Sequence, residues 1–195
     1  MLFFNFTEQM SFYQFLSKFY KEAAKRMCCD CQNFIEKGSK ILDLGCGSGI
    51  VAKTFQDFFQ AEIVGVDIQD KRIFNFPFKI IDGKNLPFSE NSFNVVLISY
   101  VLHHSYNPIS LLKEAKRVTK NKIIIYEDLP EGFLSNLVCK IHGFTFNQFL
   151  QNKKQKFDFK KKEEWQKIFE NLNLKIIFEK KISNLPKKTF FVLKK

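Results

Sequence analysis

Lys40-Ile-Leu-Asp43-Leu-Gly45-Cys46-Gly47-Ser-Gly49 is the stretch that decides how this chain folds. Lys40 to Leu44 is a short apolar run of strand length, and the five residues after it are a glycine turn. Ile50 to Phe59 then continues with helical spacing, so the whole reads strand, turn, helix. Glycines at such a junction let the backbone turn tightly and bring N–H groups close to a ligand at the helix N-terminus. Spacing sorts the candidate ligands. A nicotinamide fingerprint needs a glycine three residues beyond Gly47, where Ile50 stands, and a P-loop needs Gly-Lys-Ser/Thr, which is absent. What remains is Asp43 two residues before a G-x-G-x-G run, and a second carboxylate, Asp67, at the end of the next apolar run, where it can accept both hydroxyls of a ribose.

Outward from this segment, Ala61 to Asp67, Phe78 to Asp82, Phe93 to Ile98 and Lys122 to Tyr126 read as further strands. Ile109 to Thr119 reads as a helix with Leu111, Leu112, Ala115 and Val118 on one stripe. Strands alternating with helices predict an α/β fold with a parallel, doubly wound sheet. On the N-terminal side, residues 8 to 36 carry Phe12, Phe15, Leu16, Phe19, Ala23, Ala24 and Met27 at three- and four-residue spacing, one long helix or two short ones stopped by Gly38. On the C-terminal side, Glu131 to Leu150 is aromatic-rich, and Lys161 to Asn171 is a helix around Trp165, Ile168 and Phe169. Leu174 to Lys181 and Thr189 to Leu193 close the chain as an antiparallel hairpin around a loop with Asn184 and Pro186. There is no internal repeat, low-complexity linker or domain boundary, so residues 1–195 are expected to form one domain, with 1–37 an N-terminal helical segment and 129–160 a possible substrate lid.

Composition removes whole classes. With 45% hydrophobic and 26% charged residues the chain is neither collagen-like nor wholly disordered. No run approaches the ~18 apolar residues of a membrane span, and the N-terminus lacks a basic n-region, so no membrane association and a cytoplasmic location are expected. Five cysteines without a disulfide spacing should be thiols there. The net charge is +11, but 28 of the 31 basic residues are Lys, and Arg is the usual reader of phosphates and bases. Residues 151 to 195 hold 14 Lys against 5 acidic residues, so Lys153, Lys154, Lys156 and Lys160 to Lys162 are a solvated face or an attractor of an anionic partner.

The glycine segment resembles the first motif of the class I S-adenosylmethionine-dependent methyltransferases and Val-Gly-Val-Asp67 resembles their second, while Leu102-His-His104 resembles the branch acting on diverse small molecules, methyltransferase type 11-like. The resemblance implies a Rossmann-like seven-stranded sheet, mostly parallel, whose last strand enters antiparallel beside the fifth. It implies S-adenosylmethionine as cofactor, with Asp67 on the ribose hydroxyls, Ile68 on the adenine face, Asp82 at the adenine amino group and the Gly83 amide at the ring nitrogen. Gly45, Cys46 and Gly47 would approach the methionine part, Asp43 would be a further cofactor contact, and Ser99 would offer a carbonyl to the ammonium. Only ten residues separate Asp67 from Phe78, so the helix usual between strands two and three must shrink to a turn.

Less of the sequence speaks of the acceptor. Methyl transfer from a sulfonium is an in-line displacement that needs no obligatory base. His103 and His104, after the fourth strand, are the catalytic candidates, with a structural hydrogen-bonding role as the alternative. Amino-base methylases carry Asn/Asp-Pro-Pro-Tyr/Phe where this chain has Ser99-Tyr-Val-Leu102, which disfavours amino-directed nucleobase methylation. Glu127 and Asp128 read as caps of the turn after the fifth strand, or as binders of a cationic substrate. Phe133 to Phe149, with His142, has an aromatic stripe that reads as core before pocket. Cys28-Cys-Asp-Cys31 lacks a second ligand pair, so no metal is expected. The acceptor is then an unidentified small or medium molecule. RNA or protein methylation through the Lys-rich third, and a non-catalytic cofactor-binding partner subunit, are the alternatives.

Overall fold

The strands β1 (Lys40–Leu44), β2 (Glu62–Asp67), β3 (Phe78–Ile80), β4 (Phe93–Ser99), β5 (Thr119–Leu129), β6 (Lys175–Ile182) and β7 (Lys187–Lys194) form one sheet in the order β3-β2-β1-β4-β5-β7-β6. The structure is a computed structural model; it describes residues 6–149, 157–182 and 185–195, and the side chains of all of these except 6–16 and 143–149. Phe12, Phe15 and Leu16 of the expected stripe, with Lys153, Lys154, Lys156 and Asn184, lie outside those side chains. The first five strands pair in parallel. β7 runs antiparallel between β5 and β6, which is the expected C-terminal hairpin.

Helices cover both faces of the sheet. α1 (Phe6–Cys31) and α2 (Ile50–Phe59) lie on one, over a core that joins Met27, Cys28, Cys31 and Phe55 to Ile41, Tyr126 and Phe190. α3 (Pro108–Val118) and α5 (Lys162–Asn171) lie on the other, where Leu112, Ala115, Trp165 and Phe169 pack on Leu42, Val96, Ile123 and Phe191. α3 starts as its sequence dictates: Pro108 is preset for the first turn, and the Asn107 side chain accepts the Ser110 N–H at 3.0 Å. The Glu164 carboxylate accepts the Lys161 N–H at the start of α5.

The structure differs from these expectations at α1 and at β5. α1 is a single helix that ends at Cys31, ahead of Gly38, and its inward face is Ala24, Met27, Cys28 and Cys31, while Phe19 is 73% exposed and Ala23 faces solvent. β5 runs from Thr119 to Leu129, because antiparallel pairing with β7 recruits polar positions at both its ends. Glu127 and Asp128 are therefore inside a strand and buried, and they do not cap the turn that follows. α4 (Phe133–Phe149) is the helix of the aromatic-rich stretch; Phe133 is 82% exposed and Leu134, Leu137 and Ile141 are exposed too, while Phe144, Phe146 and Phe149 of the expected stripe lie outside the described side chains. Among the described residues no helix is long and apolar enough to cross a membrane.

Candidate functional site

The C-terminal ends of the parallel strands converge on one rim, the place where open α/β sheets bind ligands. From β1 the chain enters the glycine turn, tied to β2 by the Gly45 and Cys46 N–H groups, which both donate to the Val66 carbonyl at 2.8 and 3.1 Å. Gly45, Gly47 and Gly49 have φ of 79°, 50° and 75°, left-handed backbone that only glycine holds cheaply. They differ in surroundings. A Cβ on Gly45 would stand 2.5 Å from a Val101 methyl, and one on Gly49 2.5 Å from the Phe76 ring, whereas a Cβ on Gly47 would meet nothing within 4 Å. The turn is thus packed at its ends and open at its middle. Cys46 points inward, 2.8 Å from where a Cβ on Gly65 would lie, leaving only its backbone to face a ligand.

Asp67, at the end of β2, lies beside that opening. Its Oδ2 accepts the Gly47 N–H at 2.9 Å and its Oδ1 the Ile68 N–H at 2.7 Å. Burial raises its pKa, and those amides pull it back. Asp43 is buried behind the turn, against the Ala52 amide in the first turn of α2, and its Oδ2 has no hydrogen-bond partner among the described residues. Burial first, and then the charge of Asp67, push Asp43 up to about 7.

Ile68 is 45% exposed, with a methyl 3.4 Å from where a Cβ on Gly83 would lie, so these two expected adenine neighbours adjoin. Asp82 is exposed, and its carboxylate accepts the Lys84 and Asn85 N–H groups at 2.8 and 2.9 Å, which lower its pKa. Residues 68–77 form no helix, as the short spacing predicts. Their anchor is one that sequence reasoning missed: Phe76 is buried against Gly49 and Gly65, and the Arg72 guanidinium lies 5.4 Å from its ring and 4.2 Å from that of Phe78. Aromatic residues in so short a loop were the available signal.

Ser99 ends β4 opposite Tyr126. Tyr100 then takes φ 58°, a costly backbone for a non-glycine residue, and Val101 follows as the wall over Gly45. A 3₁₀ turn, Leu102–His104, comes next. Glu127 reaches it from β5: its Oε1 accepts the Leu102 N–H at 2.7 Å, and its Oε2 lies 2.6 Å from His103 Nδ1, all of it buried. His103, His104 and His142 of α4 gather with Phe157 and Phe159, and burial, then the neighbouring His103 and His142, push the pKa of His104 down to about 2. The structure therefore brings Asp43, Gly45, Gly47 and Asp67 together at one end of the rim and both catalytic candidates to another, with Val101 between. The sequence points Glu127 to a turn cap or a cationic substrate and not to His103, and the arrival of His142 has no sequence signal, because it depends on the path of α4. The cysteines of Cys28-Cys29-Asp30-Cys31 form no common site: Cys28 and Cys31 are core thiols, both pushed up to about 12 by burial, while Cys29 is exposed.

Residues 42–126 match a family model described as a methyltransferase domain. The demethylmenaquinone methyltransferase of Thermotoga maritima is 33% identical over 115 residues, covering 54% of this chain and 50% of that one. This chain spans half or less of the length of the curated relatives it matches first. Among solved structures, a chain of the complex that contains the Haloferax volcanii Trm112 methyltransferase activator superposes with a TM-score of 0.73 at 13% identity, over 100% of this chain and 99% of that one. The magnesium protoporphyrin IX methyltransferase of Synechocystis, solved with bound S-adenosylhomocysteine, gives 0.67 at 16% identity, over 90% and 83%. At those identities the structures speak for the fold.

Proposed function

We propose that this chain, whose residues 42–126 belong to the methyltransferase domain family, binds S-adenosylmethionine on the rim of β1, β2 and β4 and transfers its methyl group to a small or medium acceptor. One observation carries the reading: the glycine turn is walled at Gly45 and Gly49 but open at Gly47, and Asp67 stands at that opening with its carboxylate on the Gly47 amide. The residues present fit the cofactor. Asp67 accepts the ribose hydroxyls, Ile68 and Gly83 flank the adenine with Asp82 beside them, and the backbone of Gly45 to Gly47 lies along the methionine part, with Asp43 behind it and the Ser99 carbonyl near the ammonium. When bound, S-adenosylmethionine supplies an electrophilic methyl on a sulfonium whose departure leaves a neutral thioether.

The chain's own task is then to align the acceptor and keep water out. Val101 and Tyr100 border the methyl end, and α4 with residues 157–159 covers the acceptor side as a lid. A base is not required, so neither His103 nor His104 need move a proton. The names of the relatives suggest the acceptors to screen first, demethylmenaquinone and magnesium protoporphyrin IX. The Lys-rich C-terminal third gives less support to RNA or protein: Lys162, Lys180, Lys181 and Lys188 pair with Glu179, Asp30, Glu131 and Asp128.

Thermal unfolding tests the reading. S-adenosylmethionine at ~100 times its dissociation constant adds about 2.7 kcal/mol, which for a chain of this length is roughly 5–10 °C. We expect that rise with S-adenosylmethionine, none with NAD, and its loss in Asp67→Ala. A folded wild-type protein that shows no rise overturns the proposal.

A further inference from the structure

The chain has three histidines, His103, His104 and His142, and all three meet. One ring nitrogen from each lies within 4.8 Å of the other two. His142 comes from α4, well along the chain from the 3₁₀ turn that carries the other pair, so the fold and not sequence adjacency assembles the set.

His103 is prepared on its far side. Glu127 Oε2 lies 2.6 Å from its Nδ1, and Glu127 is itself held by the Leu102 N–H at 2.7 Å. A carboxylate there keeps the ring proton on Nδ1 and leaves a lone pair on Nε2. That Nε2 is buried and has no hydrogen-bond partner among the described residues. Leaving such an atom unpartnered is unfavourable, and a ligand on the lone pair removes that penalty. A carboxylate behind an imidazole is also how outer groups orient metal-bound histidines. Aromatic rings close the surroundings: Phe159 stacks on His103 at 4.5 Å, and Phe157 meets His104 edge-on at 4.9 Å.

We propose that His103, His104 and His142 bind one zinc ion, through one ring nitrogen each, with Glu127 as the positioning residue that orients His103. Three imidazoles without a thiolate suit zinc and leave its fourth position to water or another oxygen ligand. Zinc–nitrogen bonds of about 2.0–2.1 Å in tetrahedral geometry set the nitrogens roughly 3.4 Å apart, so the rings close by about 1.5 Å at most. His104 and His142 are both only partly buried, and it is their rings that would turn to close that gap. The site lies just past Val101, the wall of the glycine turn. On the methyl-transfer reading, and only on it, the fourth position is where an acceptor oxygen docks. Zinc binding itself does not depend on that reading.

The test strips the full chain with a chelator, confirms the fold by circular dichroism, and titrates Zn²⁺ in competition with a chromophoric chelator. Co²⁺ uptake is followed by absorption in parallel. The expected result is one ion per chain, tetrahedral cobalt bands without a thiolate-to-cobalt charge-transfer band, and affinity at least about 100-fold weaker in His142→Ala. Glu127→Gln should weaken binding about 10–100-fold and shift the cobalt spectrum while the protein stays folded. Failure of the folded protein to take up zinc, a thiolate band, or uptake unchanged in His142→Ala overturns the site. The S-adenosylmethionine melting shift, measured on the same wild-type sample, separates the two readings: zinc uptake without that shift supports the metal site and overturns the cofactor proposal instead.

Discussion

Asp43 shows how much one residue behind a turn can govern. Its carboxyl is buried, one oxygen lacks a partner, and its pKa stands at about 7 against an ordinary value near 4. The folded state keeps a proton that the unfolded chain gives up, so this contribution to stability is full below about pH 4 and is lost as the pH rises to about 7. The slope is at most about 1.4 kcal/mol per pH unit. The groups beside it are Asp67, also raised by burial, and Cys46, which burial keeps a thiol throughout this range. Asp43→Asn keeps an acceptor for the Ala52 amide and removes the titration. Urea unfolding at pH 5 and pH 7.5 should therefore show the variant gaining on the wild type at the higher pH; an equal difference at both would refute the account. Asp43, Gly45, Gly47 and Asp67 were legible because glycine at left-handed backbone and a carboxylate at a strand end are local demands written in local sequence. Glu127 and His142 were not, because their partners are chosen by strand pairing and by the course of α4, neither of which leaves a mark in the neighbouring residues.

At the scale of elements, the segment between β2 and β3 replaces a helix with one buried ring. Gly65 has no left-handed backbone to protect, yet a Cβ there would stand 2.6 Å from the Phe76 ring and 2.8 Å from Cys46 Sγ. Gly65→Ala should therefore destabilise through crowding alone, by about 1–3 kcal/mol. Phe76→Leu, which removes the crowding ring at its own packing cost, should recover part of that loss. In denaturant melts of the two single variants and the double one, the double variant should be more stable than the sum of the singles predicts, and strict additivity would show that ring and glycine do not touch. The bounds of β1 and α2 were readable to the residue, since an apolar run and a helical stripe meet there at a glycine turn. The stripe expected on α1 holds at Ala24 and Met27 and fails at Phe19 and Ala23, because its apolar residues are spread around the helix and docking against α2 selects the inner face, which adds Cys28 and Cys31. β5 was read short because Glu127 and Asp128 look like loop residues until β7 is placed beside them.

For the whole molecule, the sheet order sets the basic hairpin at the edge away from β1, β2 and β4, whose rim is the proposed cofactor site, with β6 outermost. Lys175, Lys180 and Lys181 on that outer strand are what an exposed sheet edge carries to discourage pairing with another chain. Lys180 and Lys181 are moreover bound to Asp30 and Glu131, and Lys162, on the neighbouring helix, to Glu179. A net charge of +11 consequently overstates the field that a polyanion would meet on this side. Single-stranded RNA titrated against the protein by fluorescence anisotropy over a range of salt should bind weakly, with a slope of log affinity against log salt of about −2 or shallower, corresponding to roughly three phosphates or fewer. A slope of about −4 or steeper would mean that six or so lysines act together on the backbone of an RNA. The hairpin would then be an acceptor platform rather than a guarded edge, and the small-acceptor proposal would give way to methylation of a nucleic acid delivered across β7 and β5 to the rim.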